Sequence, residues 1–346
     1  MSAIAVPRPA LSTDPIFEVE DLRVAFALEG GSRIDALDGV SFTIAPGETV
    51  GIVGESGSGK TQLFMAAMGL LARNGRATGH VRFDRSEILG LPPAELNRLR
   101  GARLAMIFQD PMTSLNPFLT VERQLTEVLV THRGFDRARA REAAIKMLER
   151  VQIPEPERRI DMYPFEFSGG MRQRVMIAMA LLCGPEFLIA DEPTTALDVT
   201  IQAQILSLLA ELKRDTGMAL AIITHDLGVV AGLCDRVLVM YAGRIVEEGT
   251  VLDLFREPLH PYTAGLLASI PRADPMSVED DEPPLIAIPG QPPDLQHLPS
   301  GCAFRTRCRF AFERCAREIP LLRGAGQGRA KACHLDQPPA VGTPRP

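Results

Sequence analysis

The octapeptide Gly54-Glu55-Ser56-Gly57-Ser58-Gly59-Lys60-Thr61 constrains this chain more than any other stretch. It follows a short apolar run, Thr49 to Val53, and precedes an apolar segment that reads as a helix from about Gln62. A strand, a glycine-rich loop and a helix start in that order form a phosphate cradle. Glycines let successive backbone N–H groups turn inward, and the helix N-terminus adds partial positive charge. Lys60 brings a point charge to the terminal phosphates, and the Thr61 hydroxyl suits a magnesium ion. A glycine-rich turn with a chance lysine is the plainer reading, and the complete pattern in its required context argues against it.

Downstream, Phe187-Leu188-Ile189-Ala190 is a continuous apolar run ending on Asp191 and Glu192. A buried strand delivers both carboxylates at its edge, and strand alternation predicts that they face different ways. Asp191 is assigned to Mg2+ and Glu192 to the attacking water, as general base or orienting acceptor. A surface Asp-Glu pair is the alternative, which the apolar run disfavours. Ala219 to Thr224 forms another buried strand, and Ile201, Ile205, Leu208, Leu209 and Leu212 recur at helical spacing between the two. Strand, helix, strand predicts a parallel sheet. His225 then lies at the strand end where ligands collect in open parallel sheets, placed to sense the terminal phosphate. Earlier, Val19, Leu22, Val24 and Phe26, then Val40, Phe42 and Ile44, predict two antiparallel strands, and residues of about 120 to 152 a helical insertion.

The 346 residues suffice for about two domains. Net charge is −6, so no global positive field favours nucleic acid. The longest apolar candidate, Val175 to Ala190, is broken by Gly184, Pro185 and Glu186, so no membrane span is expected. The opening stretch has neither a basic nor an apolar export signal, which predicts a reducing, cytoplasmic setting. From Pro271 proline density rises and the acidic run Glu279 to Glu282 reads as a linker.

Taken together, these residues resemble the ATP-binding subunit of an ABC transporter. Phe167-Ser168-Gly169-Gly170-Met171-Arg172-Gln173 resembles the signature motif of that superfamily, Gln109 its Q-loop, Ala196-Leu197-Asp198 its D-loop and His225 its switch histidine. The resemblance implies an antiparallel β subdomain, a parallel-sheet core and a helical subdomain, with two such units paired head to tail. ATP would then lie between the P-loop of one unit and Ser168, Gly169 and Gly170 of the other, with Asp198 nearby, Phe26 stacked on adenine, and Gln109 near Mg2+ or the attacking water. A purely structural Phe26 is the plainer reading. Phe167, Met171 and the stretch His260-Pro261-Tyr262-Thr263-Ala264-Gly265-Leu266-Leu267 are similar to the oligopeptide and dipeptide permease branch in particular.

That branch implies peptide import, with nickel or another small solute as the alternative substrate. The implied partners are a second ATPase, a paralogue rather than an identical copy, two transmembrane permeases and, indirectly, a solute-binding protein, with no nucleic acid. The implied place is the cytoplasmic face of the inner membrane. A soluble ABC protein acting on nucleic acid or ribosomes is the rival reading. The expected divisions are tails at 1–15 and 336–346, an ATPase unit at 16–257 with its helical subdomain at about 110–167, and a C-terminal extension at 258–335.

Cys183 and Cys234 sit in apolar stretches, whereas Cys302, Cys308, Cys315 and Cys333 crowd into the extension. Their wide spacing lacks the close pair usual for Zn2+, and four thiolates also suit an iron-sulfur cluster. Resemblance to permease ATPases with four C-terminal cysteines implies a [4Fe-4S] cluster, with zinc or free thiols as alternatives. His334 is a candidate further ligand, and Arg305, Arg307, Arg309 and Arg314 are expected to offset the cluster's charge. The extension is expected to be structural and distant from the P-loop.

Overall fold

The computed structural model of the protein describes residues 14–110, 114–195, 197–270 and 287–339. The expected linker at 271–286, Ala196 and most of both tails lie outside the described residues.

Two sheets organise the chain. The first, in the order β2-β1-β4-β5, is antiparallel and comprises β1 (Phe17–Ala27), β2 (Arg33–Ile44), β4 (Gly75–Phe83) and β5 (Ser86–Glu87). The odd step from Val19 to Leu22 breaks a period of two, and a register shift accommodates it beside Asp21, whose φ is +45°. This irregularity returns Leu22 and Val24 to the buried face.

The second sheet runs β11-β12-β10-β9-β3-β8-β7-β6. Its central strands are β3 (Thr49–Val53), β6 (Leu104–Ile107), β7 (Phe187–Asp191), β8 (Ala219–Thr224) and β9 (Arg236–Tyr241). All pair in parallel with their neighbours in this group, as the sequence predicts for β7 and β8. Both faces are covered, so β3, β7 and β8 are apolar runs without alternation. Phe17 joins the two sheets, its ring 4.9 Å from Phe187 and 5.9 Å from Phe64 of the helix Lys60–Ala67.

Register levels the strand ends. Val53 lies beside Thr224, Asp191 beside Ile223 and Ile107 beside Ala190, so the segments leaving β3, β6, β7 and β8 emerge together. Between β6 and β7 the helices Val121–Arg133, Arg137–Arg150 and Pro156–Arg159 form the expected helical insertion. Thr120 and Asp136 cap the first two through side-chain oxygens.

Strands from the C-terminal extension join the main sheet. β10 (Arg244–Thr250) folds back on β9, β12 (Arg329–Lys331) pairs antiparallel with β10, and β11 (Arg323–Gly326) pairs with β12. The extension thus widens the main sheet. Arg329 anchors it, 3.7 Å from fully buried Glu247 and 3.2 Å from Glu257. Among the described residues, no helix is long and apolar enough to cross a membrane.

Candidate functional site

The P-loop closes around its own backbone. A Cβ at Gly54 would meet the Met240 carbonyl oxygen at 2.3 Å, and one at Gly59, where φ is +96°, would meet the Ala36 carbonyl oxygen at 2.5 Å. Only glycine fits either place. Lys60 Nζ donates to the carbonyls of Gly54 at 2.7 Å and Glu55 at 2.9 Å, folded back over the loop. Burial pulls its pKa below the ordinary lysine value, against the opposing field of Glu192, Asp191 and Glu55.

At the mouth of the loop, Thr61 Oγ1 donates to Asp191 Oδ1 at 3.1 Å. Burial raises the Asp191 carboxyl to about 6. A hydroxyl and a carboxylate this close are hard oxygen donors of the kind Mg2+ takes, so these residues fit the ion.

Glu192 is the hub of a second cluster. Gln109 Nε2 donates to its Oε2 at 3.1 Å, the Thr195 hydroxyl donates to the same oxygen at 2.7 Å, and His225 Nδ1 lies 3.3 Å from Oε1. The two carboxylates do diverge, but for a different reason from the one the sequence suggests. The chain leaves the strand at Glu192 with φ +45°, a left-handed conformation that turns its side chain from Thr61 toward Gln109 and His225. Thr195 escaped the sequence reading, since a threonine in a turn carries no pattern of its own.

Other expected residues are engaged elsewhere in the chain. Ser168 caps the helix Gly169–Leu181 by accepting the Met171 N–H, and a Cβ on Gly170 would meet Ile201 at 2.8 Å. Asp198 caps the helix Val199–Thr216 through the Ile201 N–H at 3.0 Å. Phe26 is half-buried against the core, across from Gly75, while its β2 partner Ile34 lines the cleft beside Glu55, Ser56, Gly57 and Ser58.

All six cysteines are free thiols. Cys302, Cys308, Cys315 and Cys333 lie within electrostatic reach of one another, and Cys302 N–H donates to the Cys315 carbonyl at 2.8 Å. Burial, reinforced by the neighbouring thiols, pushes Cys302 and Cys308 up to about 11. Yet among the described residues no group of three or more His, Cys, Asp or Glu side chains is arranged to hold a metal ion. The thiols converge, but this arrangement is not a formed metal site.

The basic residues expected to offset a cluster have other partners. Arg305 donates to Ser300, Arg309 lies 4.7 Å over the Phe310 ring, Arg314 donates to Glu318 at 2.7 Å, and His334 Nε2 lies 3.0 Å from the Glu318 carbonyl oxygen. Arg307 reaches the P-loop, donating to both oxygens of Glu55 at 2.6 and 2.9 Å. The expected distance between extension and P-loop is therefore wrong.

Comparison with known proteins shows the family. Residues 37–195 match the family described as ABC transporter, and residues 246–315 match the oligopeptide/dipeptide transporter C-terminal region. The oligopeptide transport ATP-binding protein OppD of Salmonella typhimurium is 55% identical over 96% of each chain. Its Escherichia coli namesake is 54% identical over 95% of each. The chain belongs to the ABC-transporter ATP-binding family, in its oligopeptide branch. A putative peptide import ATP-binding protein of Brucella abortus, 48% identical over 94% of this chain and 96% of its own, extends the same branch. Among solved structures, the ATP-binding cassette MJ0796, dimeric in a post-hydrolysis state bound to ADP and Pi, has TM-score 0.61 at 29% identity, covering 68% of this chain and 98% of its own.

Proposed function

We propose that this chain is the ATP-hydrolysing subunit of a peptide importer. The observation that carries the reading is the joining of two clusters at the carboxyl ends of the parallel strands: Lys60, Thr61 and Asp191 around the P-loop, and Gln109, Thr195 and His225 around Glu192.

In this reading the P-loop offers backbone N–H groups to the triphosphate, apart from that of Glu55, which the Tyr262 hydroxyl holds, and Lys60 swings from the loop carbonyls to the terminal phosphates. Thr61 and Asp191 hold Mg2+, which when bound neutralises developing charge on the phosphates. Glu192 accepts the proton of the attacking water, positioned by Thr195 and Gln109, and His225 senses the terminal phosphate from the exposed side. Phe26 stacks on adenine. Ser168, Gly169, Gly170 and Asp198 serve the partner's nucleotide, through the N-terminal N–H groups of the helix Gly169–Leu181.

The partner ATPase is a paralogue, and permeases dock on the helical insertion, which presents exposed Phe118 and the exposed stacked pair Tyr163 and Phe165. The chain then works as a peripheral subunit on the cytoplasmic face of the membrane. The relatives named as peptide transporters support a peptide substrate, and neither nickel nor the nucleic-acid or ribosome reading gains support from them. For the four extension thiols, the [4Fe-4S] reading, with a single zinc ion as its alternative, rests on the resemblance to permease ATPases with four C-terminal cysteines alone, since the described side chains form no metal-holding group. Anaerobic purification with iron, sulfide and zinc analysis tests this, and a metal-free, fully assembled subunit rejects both.

The decisive experiment reconstitutes the chain with its permeases, partner ATPase and solute-binding protein. Short peptides should stimulate Mg–ATP hydrolysis and accumulate inside vesicles. Hydrolysis indifferent to every peptide tested would reject the substrate class.

A further inference from the structure

Glu55 is pinned at all three of its polar groups. Its carbonyl accepts from Lys60 Nζ at 2.9 Å, its N–H donates to the Tyr262 hydroxyl at 2.8 Å, and its carboxylate takes both prongs of Arg307. Two of these anchors come from beyond residue 257, across 207 and 252 residues of chain. The Arg307 side chain is 4% exposed and that of Glu55 25%. Arg307 also donates to the Pro289 carbonyl at 2.9 Å and approaches the Tyr241 hydroxyl at 3.4 Å, so its direction is fixed from several sides.

Shape adds a second observation, with Glu55 on one side and the extension on the other. A cleft of about 300 Å³ runs along the P-loop, and its far wall is Pro292, Pro293, Asp294 and Leu295 of the extension. The extension therefore borders the nucleotide site as well as touching it.

We propose that the C-terminal extension positions the P-loop for ATP, with Tyr262 and Arg307 as positioning residues: Tyr262 holds the Glu55 N–H, and Arg307 holds and neutralises the Glu55 carboxylate beside the triphosphate. The inference rests on the reading of the P-loop as an ATP site. A carboxylate in that loop repels a polyanionic ligand unless a fixed cation compensates it, and a buried two-pronged guanidinium does so with defined geometry. Arg307 directly precedes Cys308, and Phe304, between Cys302 and Cys308, packs 5.2 Å from Tyr241 and 5.4 Å from Tyr262. The turn that carries two of the thiols thus also carries the clamp. Disturbing it reaches ATP through Arg307.

Mg–ATP titration of the full-length chain by calorimetry tests the proposal. Arg307→Met should weaken binding about tenfold or more, because it leaves the Glu55 charge unpaired. Adding Glu55→Gln to that variant should recover most of the loss, a rescue that a merely structural arginine would not give. Arg307→Lys, which keeps the charge and loses the fork, should cost about threefold. In the assembled transporter the loss should fall on KM for ATP rather than on kcat. Wild-type affinity in Arg307→Met, or no rescue in a folded double variant, overturns the clamp. Should Arg307→Met fail to fold, Arg307→Lys decides, and unchanged affinity there overturns it equally. A wild-type chain unable to bind Mg–ATP overturns instead the reading beneath.

Discussion

Glu192 combines a left-handed backbone with three side-chain contacts, an arrangement that persists only where surrounding structure fixes it. Its neighbours matter differently. Gln109 and Thr195 donate to one oxygen, which leaves the other facing His225, so the carboxylate has a defined orientation before any water arrives. Glu192→Gln preserves shape and removes the proton acceptor. Turnover in the assembled transporter should fall by roughly 10²-fold or more, with Mg–ATP binding retained. Near wild-type turnover would remove Glu192 from its role. Asp191, Glu192 and His225 were legible in the sequence because each follows a buried apolar run that ends at the site, whereas Gln109 was legible only through the family resemblance. Thr195, Tyr262 and Arg307 were not, because their partners are set by a backbone turn or by contacts hundreds of residues away.

At the scale of elements, apolar runs made β3, β7 and β8 plain, and helical spacing made the insertion plain. β11 and β12 were hidden: Arg323–Gly326 and Arg329–Lys331 have no apolar alternation, and they become strands because β10 offers an edge. The junction of that extension contains a titratable group. His260 is buried, caps the helix Pro261–Ala268 by accepting the Tyr262 N–H at 3.0 Å, and packs 5.8 Å from Phe304. Burial, aided by Lys331, pulls its pKa from 6.5 to about 3. The unfolded chain therefore takes a proton near pH 6.5 that the folded chain refuses until far lower. Stability from neutral His260 is complete above about 6.5 and drains as pH falls toward 3, about 2 kcal/mol being lost by pH 5. Glu247, which accepts the His260 N–H and whose carboxyl is raised by burial, works the opposite way, so wild type alone does not isolate the histidine. His260→Asn keeps a capping acceptor and cannot titrate. Urea unfolding at pH 7 and pH 5 should show wild type losing about 2 kcal/mol more than the variant. Parallel losses would show that His260 does not control the acid response.

For the whole molecule, the division of the site matters most. The P-loop, Asp191 and Glu192 gather at the carboxyl ends of the parallel strands, whereas Ser168 heads the helix Gly169–Leu181 and is held there by its own capping bond. A helix start with N–H groups to offer is an anion site, and in the proposed head-to-tail pair the anion it meets is the partner's triphosphate. Ser168→Ala would blur the test by removing the cap together with the phosphate contact. Ser168→Asp separates the two, since aspartate caps at least as well as serine while its charge opposes the incoming phosphate. The variant should therefore fold with an unchanged melting temperature and bind Mg–ATP at its own P-loop within about twofold of wild type. In the assembled transporter, turnover at the composite site formed with the partner's P-loop should fall by roughly 10²-fold, the scale expected when a transition-state contact becomes a repulsion. Its double variant with Glu192→Gln should also fail to trap an ATP-closed pair that Glu192→Gln alone accumulates, read by cross-linking or gel filtration. If Ser168→Asp closed and hydrolysed normally, the nucleotide would have to be completed within one chain, and the head-to-tail arrangement would fall.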